Sequence, residues 1–186
     1  MYTIFVVTAT TLGVLLLWGV FTYNSFIRLM QRGKEAWADI DVQLKRRYDL
    51  IPNLVNTVKA YALHEAKVFE NVTKARNAAM NAGNLADKGE AENMLSGALK
   101  SLFAVAEAYP DLKANQNFLH LQNELSDTEN KIQAARRFYN TVVRDLNTKV
   151  DSVPDKLIAI AFSFVKMDYF ELENEAAQEP VAVNFG

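Results

Sequence analysis

Two histidines, a loose set of carboxylates and guanidiniums, and one short basic run are the residues of this sequence most able to carry chemistry. His64 is followed by Glu65, but position 68 is a valine, so the two-histidine zinc motif of metalloproteases is not formed. A di-iron helical bundle needs a glutamate three residues before each histidine, and Tyr61 and Asn117 stand there instead. His64 borders an apolar stripe and His120 lies between Leu119 and Leu121, so both are expected at a helix surface or rim rather than as metal ligands. The chain has no cysteine, which excludes disulfides, zinc ribbons and thiol catalysis. No phosphate-binding glycine loop and no nucleophile elbow is present.

One polar group is worth following. Glu129 and Arg136, with Arg47 on an earlier helix, flank apolar stripes. They are either ordinary flank charges or a buried ion network, and a buried network would more readily set helix register than perform catalysis. Lys45-Arg46-Arg47 could meet lipid headgroups. It begins about 17 residues past Arg28, roughly 25 Å along a helix. That is well beyond a screening length of roughly 8 Å, so its pull on a membrane near Arg28 would be weak. No catalytic, cofactor-binding or metal-binding residue is expected. With 20 basic against 22 acidic residues, no global field points to nucleic acid.

The elements around these residues divide the chain into three parts: an anchor over residues 1–27, a helical region over 28–170, and an acidic, flexible tail over 171–186. No charged side chain precedes Arg28. As a helix, residues 2–23 would rise about 32 Å, which matches a hydrocarbon core of roughly 30 Å. Tyr2 and Tyr23 would then sit near the two interfaces. A cleaved signal would want a basic start and small residues at its end, whereas Trp18, Phe21 and Tyr23 are bulky. Arg28, Arg32, Lys34 and the basic run follow the anchor, so the positive-inside rule puts the N-terminus outside and the remainder in the cytoplasm. Ala9 and Gly13 form a small-xxx-small pair that could support helix association.

Beyond the anchor the apolar period is helical. Trp37, Ile40, Leu44, Tyr48, Ile51, Val55, Val58, Ala62, Phe69 and Val72 form one stripe, predicting a single helix from Trp37 to Met80 that kinks at Pro52. Only Gly33 and Pro52 could interrupt its path from the anchor. Gly83 suits a left-handed cap at its end. A second helix is expected from Asp87 to Ala108, and a third from Leu112 to Val150 with Phe118, Leu125, Ile132, Tyr139 and Leu146 on its stripe. Ser152 is placed to cap a last helix with Pro154 in its first turn. That helix carries Leu157–Val165, too short to span a bilayer, and is expected to bury against the others, with a membrane surface or a second subunit as the alternative. Short connections predict antiparallel neighbours, hence an all-α protein: a transmembrane helix followed by a long up-and-down four-helix bundle.

Tyr23-Asn24, the run Asp41–Glu65 (DVQLKRRYDLIPNLVNTVKAYALHE) and the run Asn115–Val143 (NQNFLHLQNELSDTENKIQAARRFYNTVV) closely resemble the LemA family of bacterial membrane proteins. The resemblance extends from the anchor to Phe170, leaving the acidic tail outside it. It implies one inner-membrane helix with an outward N-terminus and a cytoplasmic helical bundle. It implies no catalytic residues, and it suggests membrane-protein quality control near membrane proteases. Together these readings predict a non-enzymatic scaffold or adaptor that binds lipid through residues 2–23, forms a homo-oligomer and meets other membrane proteins. Membrane remodelling, or an enzyme with a polar site between helices, are the competing expectations.

Overall fold

The computed structural model describes residues 1–171, and the expected acidic tail beyond residue 171 lies outside them. Among the described residues the fold is all-α. The elements are α1 (Tyr2–Lys59), α2 (Ala66–Asn81), α3 (Leu85–Glu107), α4 (Pro110–Lys113), α5 (Gln116–Asp151) and α6 (Asp155–Ala161). α1 passes unbroken through Gly33 and Pro52, so the apolar N-terminal segment and the first amphipathic stripe are one 58-residue helix. An 18-residue window of it is apolar enough to cross a membrane and is buried by nothing in the fold.

The expected helix from Trp37 to Met80 is instead a hairpin. Residues 60–65 form a tight turn, with Tyr61 N–H and Ala62 N–H both donating to the Val58 carbonyl. α2 then folds back along α1, because Arg76 Nε donates to the Tyr48 carbonyl at 2.8 Å. Neither glycine nor proline marks the turn. The stripe runs on across it because both arms turn their apolar faces inward: Val58, Ala62, Phe69 and Val72 are all buried.

Gly83 does not adopt the expected left-handed conformation. Ala82 ends α2 in extended backbone, and Asn84 opens α3 with its Oδ1 accepting from Asp87 N–H at 2.8 Å. The polar turn is spent on starting the next helix rather than on closing the last. Leu112, expected in the third helix, sits in the separate turn α4, because Pro110 opens that turn and Asn115 Oδ1 starts α5 by accepting from the N–H groups of Asn117 and Phe118.

The described chain divides into two compact units, Met1–Asp41 with Gln133–Tyr169, and Val42–Ile132 with Phe170 and Glu171. In the first, α1 and α5 run antiparallel. Trp37 meets Tyr139 edge-on at 5.6 Å, and Phe26 packs with Leu146. Residues 158–168 then climb back along α1. Ile158 lies by Gly19, Phe162 by Tyr23, Phe164 stacks on Phe26 at 4.7 Å, and Met167 lies by Gly33. Asn147 holds this return like a strand partner: its amide nitrogen donates to the Met167 carbonyl, and its oxygen accepts from Met167 N–H, each at 2.9 Å.

Ser152 does not cap α6. Its hydroxyl donates to the Thr148 carbonyl at the end of α5, and Pro154 takes the cap position without a side-chain bond. α6 closes with Ser163 at φ 56°, Phe164 N–H donating to the Ala159 carbonyl and Ser163 N–H to the Ile160 carbonyl. That is the paired bond pattern of a left-handed helix stop, with Phe164 and Ala159 in one apolar cluster to complete it. The Leu157–Val165 segment is not buried as expected. Ala159 is buried and Ile158 and Phe164 pack in part, while Leu157, Ile160, Phe162 and Val165 face outward. The reason is size: seven helical residues expose one side wherever the other packs.

In the second unit α1 supplies buried Leu44, Tyr48, Ile51, Leu54 and Val58, α2 Phe69, Val72 and Ala79, and α3 Leu95, Leu99 and Leu102. α5 brings Phe118, Leu125 and Ile132. On α1, Leu54 is buried and the expected Val55 only half-buried, while Ile51 and Val58 are buried as the stripe predicted. α5 runs antiparallel to α1 here too, with Asn115 by Tyr61 and Glu124 by Arg46. Gly89 lies where the chain passes closest. A β-carbon there would stand 2.5 Å from the Glu171 carbonyl oxygen, on backbone that must shift. Alanine in a helix is favoured over glycine by up to about 1 kcal/mol, but overpacking costs about 1–3 kcal/mol, so Gly89→Ala should lower the urea midpoint despite the better helix former.

Candidate functional site

The polar side chains that come together lie inside the second unit, and Arg47 is their centre. It follows Leu44 by three residues and therefore shares the inward face of α1, where it is 4% exposed. Its Nη1 meets Glu92 Oε2 at 3.1 Å and Glu129 Oε2 at 3.2 Å, while Nη2 donates to Ser96 Oγ at 2.8 Å. One guanidinium thus ties α1 to α3 and α5. A planar fork with several donors suits this task better than an ammonium.

Glu92 is the other half. It is fully buried on α3, accepting from Arg47 through one oxygen and from the Tyr48 hydroxyl through the other. The Tyr48 hydroxyl also lies 3.4 Å from the Ala79 carbonyl, and Lys88 Nζ stands 6.0 Å over its ring. Burial pushes the Glu92 carboxyl above the usual carboxylate range, against the opposing pull of the Tyr48 hydroxyl and of Arg47. A raised carboxyl is one requirement of a general acid. Here both of its oxygens are engaged by side chains of α1, so its chemistry goes to holding α3 on α1.

Glu92 binds its proton more tightly folded than unfolded, so its contribution is complete below about 4.5 and is lost as pH rises through the raised folded value. Glu92→Gln, which cannot ionise, should remove that loss. Urea midpoints of the two proteins, measured across the acid to neutral range, should diverge in favour of the glutamine variant as pH rises.

Of the expected trio, Arg47 and Glu129 meet, and Arg136 is half-buried further along α5. Glu92, Tyr48 and Ser96 complete the network, and sequence reasoning missed all three as polar partners. The signal was present: Glu92 stands between Ala91 and Leu95 on the apolar side of α3, where an acid needs a buried cation. The Lys45-Arg46-Arg47 run is not one exposed basic patch, since Arg47 turns inward and Arg46 pairs with Glu124. His64, in the turn after α1, and His120, on α5, are both solvent-exposed.

A long apolar N-terminal helix, continuous with an amphipathic helix whose polar core ties three helices together, defines an all-α protein in which buried charge serves cohesion. Comparison with known proteins identifies the group. The chain belongs to the LemA family, whose model matches residues 36–185. The match starts later than the anchor and runs through the acidic tail, so the tail falls within the family region and not outside it as expected. The chain is similar to magnetosome protein MamQ of Magnetospirillum gryphiswaldense, 23% identical over 185 residues that cover 86% of this chain and 68% of the relative. It is similar to magnetosome protein MamQ 2 of Paramagnetospirillum magneticum, at 24% over the same shares. Protein LemA of Metamycoplasma hominis is 27% identical over 146 residues, covering 75% of this chain and 64% of that protein.

Proposed function

We propose that this chain is a non-enzymatic membrane scaffold: a single-pass protein of the bacterial inner membrane, N-terminus outside, whose cytoplasmic up-and-down helical bundle presents its faces to other membrane proteins and to further copies of itself. The observation that carries the reading is α1. An 18-residue apolar window near its start is covered by nothing in the fold, and the same helix continues without a joint into the buried stripe from Ile40 to Val58. Lipid is the solvent that such a surface fits. Arg28, Arg32 and Lys34 just past the apolar run favour the stated orientation. The buried Arg47 and Glu92 pair supports cohesion over catalysis, because its donors and acceptors are spent on one another.

Relatives named for the magnetosome and for a mycoplasma protein share this helical region, which suits a module valued for its surface in unlike settings. The partners we favour are membrane proteases and other proteins of membrane quality control, together with self-association through open faces such as Ala9 and Gly13. Light scattering of the detergent-solubilised protein should give a mass of at least two chains per particle. Crosslinking in cells should capture membrane proteins with the full chain and not with one lacking residues 2–23. A strict monomer that captures nothing would remove the scaffold reading.

A further inference from the structure

We propose that α6 and the turn after it form a second membrane contact, an interfacial wedge lying in the leaflet where α1 leaves the bilayer. The proposal rests on the reading that α1 spans a membrane. Four large apolar side chains within nine residues are left more than half exposed: Leu157 at 64%, Ile160 at 69%, Phe162 at 57% and Val165 at 70%. Val153, just before α6, adds a fifth. Other exposed apolar residues beyond the apolar half of α1, such as Val42, Leu63, Met94 and Phe138, are spread singly along the chain and need no explanation. A cluster of this density does.

What covers it follows from where it lies. Ile158 packs beside Gly19, and the Phe162 ring meets Tyr23 at 4.8 Å. Both α1 positions belong to the uncharged run that ends at Arg28, and Gly19 lies about 6 Å deeper along the helix than Tyr23. A helix seated there is held at the depth of the interface and not in bulk water. The outward side of α6 thus continues the lipid-facing surface of α1.

The polar groups near the wedge suit the same boundary. Asp155, which opens α6, is compensated by Lys149 Nζ at 2.8 Å and by the Thr22 hydroxyl at 3.4 Å, so no bare carboxylate faces the apolar layer. Lys156 and Lys166 stand exposed at either end of the apolar run. The stem of Lys156 can lie along the hydrocarbon edge while its ammonium group reaches lipid phosphates, and Lys166 pairs with Asp151 at 2.6 Å. The left-handed stop at Ser163 turns the chain back toward Gly33 immediately after Phe162, keeping the apolar excursion shallow.

The chain has no native cysteine, so single-cysteine variants report one site each. Leu157→Cys, Ile160→Cys and Val165→Cys would carry an environment-sensitive fluorophore on the full-length protein in phosphatidylcholine–phosphatidylglycerol nanodiscs. Leu15→Cys serves as a probe of the anchor, and Val42→Cys and Leu63→Cys as water-exposed probes. Lipids bearing a nitroxide at shallow depth should quench most of the emission at 157, 160 and 165 and leave 42 and 63 bright, while deep nitroxides quench 15. If 15 is quenched and the three wedge positions stay bright and water-exposed, the wedge is refuted and the anchor stands. Blue-shifted emission at the wedge without lipid quenching would mean cover by another protein surface, which also overturns the proposal. An unquenched probe at 15 would remove the anchor, and the wedge with it.

Discussion

Arg47→Ala should cost about 3–5 kcal/mol of stability, because it leaves Glu92 buried with its ion partner gone. Ser96 and Glu129 would lose the same donor, and α1, α3 and α5 their shared tie. Urea denaturation of the detergent-solubilised protein, followed by far-ultraviolet circular dichroism, would measure the loss. It should shrink in acid, where a proton on Glu92 relieves the unpaired charge. A second variant separates the lost ion partner from lost packing. Arg47→Met combined with Glu92→Leu and Tyr48→Phe removes the buried Arg47–Glu92–Tyr48 heart of the network while keeping volume, and should recover most of the stability. If that triple variant is as unstable as Arg47→Ala, the tie acts by shape and the electrostatic account fails.

Phe26→Ala is expected to have an effect of similar size in the first unit. Phe26 is fully buried, stacks on Phe164, and lies beneath Lys149 Nζ at 5.2 Å. Deleting a buried phenyl ring costs about 3–5 kcal/mol, and the cavity would open under the residues that return along α1. Limited proteolysis should show the variant cut within residues 155–168 while the native protein resists. Phe26→Leu, which refills much of the space, should restore most of the protection. Equal protease resistance of Phe26→Ala and the native protein would mean that the α6 return is held by Asn147 and Tyr139 instead, through their bonds to the Met167 and Asp168 backbone.

Much of the scaffold was legible in the residues. The uncharged run to Ile27 and the stripe from Ile40 to Val58 identified α1, and Asn84 and Pro110 marked real boundaries. The hairpin turn at residues 60–65 was hidden because a heptad-like stripe looks the same in one long helix and in two arms closing on one core. Nothing local in Ala60-Tyr61-Ala62-Leu63 breaks a helix; the break is made by tertiary contacts such as Arg76 on the Tyr48 carbonyl. The network was half legible. Arg47 and Glu129 stood out as charges beside stripes, but Glu92 looked like one more acid on a solvated helix. Its partner sits 45 positions away, and only the folded chain brings the two within reach. Asn147 was invisible for a related reason, since an asparagine that pairs with an extended backbone has no periodic signature.

The absence of a joint in α1 has a mechanical consequence. A membrane helix that meets a thinner bilayer tilts, and a flexible linker would absorb that tilt at the surface. Here the helix is continuous, and Trp37 is clasped by Tyr139 further along. Between Tyr23 and Asp41 it rises about 27 Å, so an added tilt of roughly 10° would carry its upper end sideways by about 5 Å. With α1 spanning the membrane as proposed, bilayer thickness becomes an input that the chain can read out as leverage.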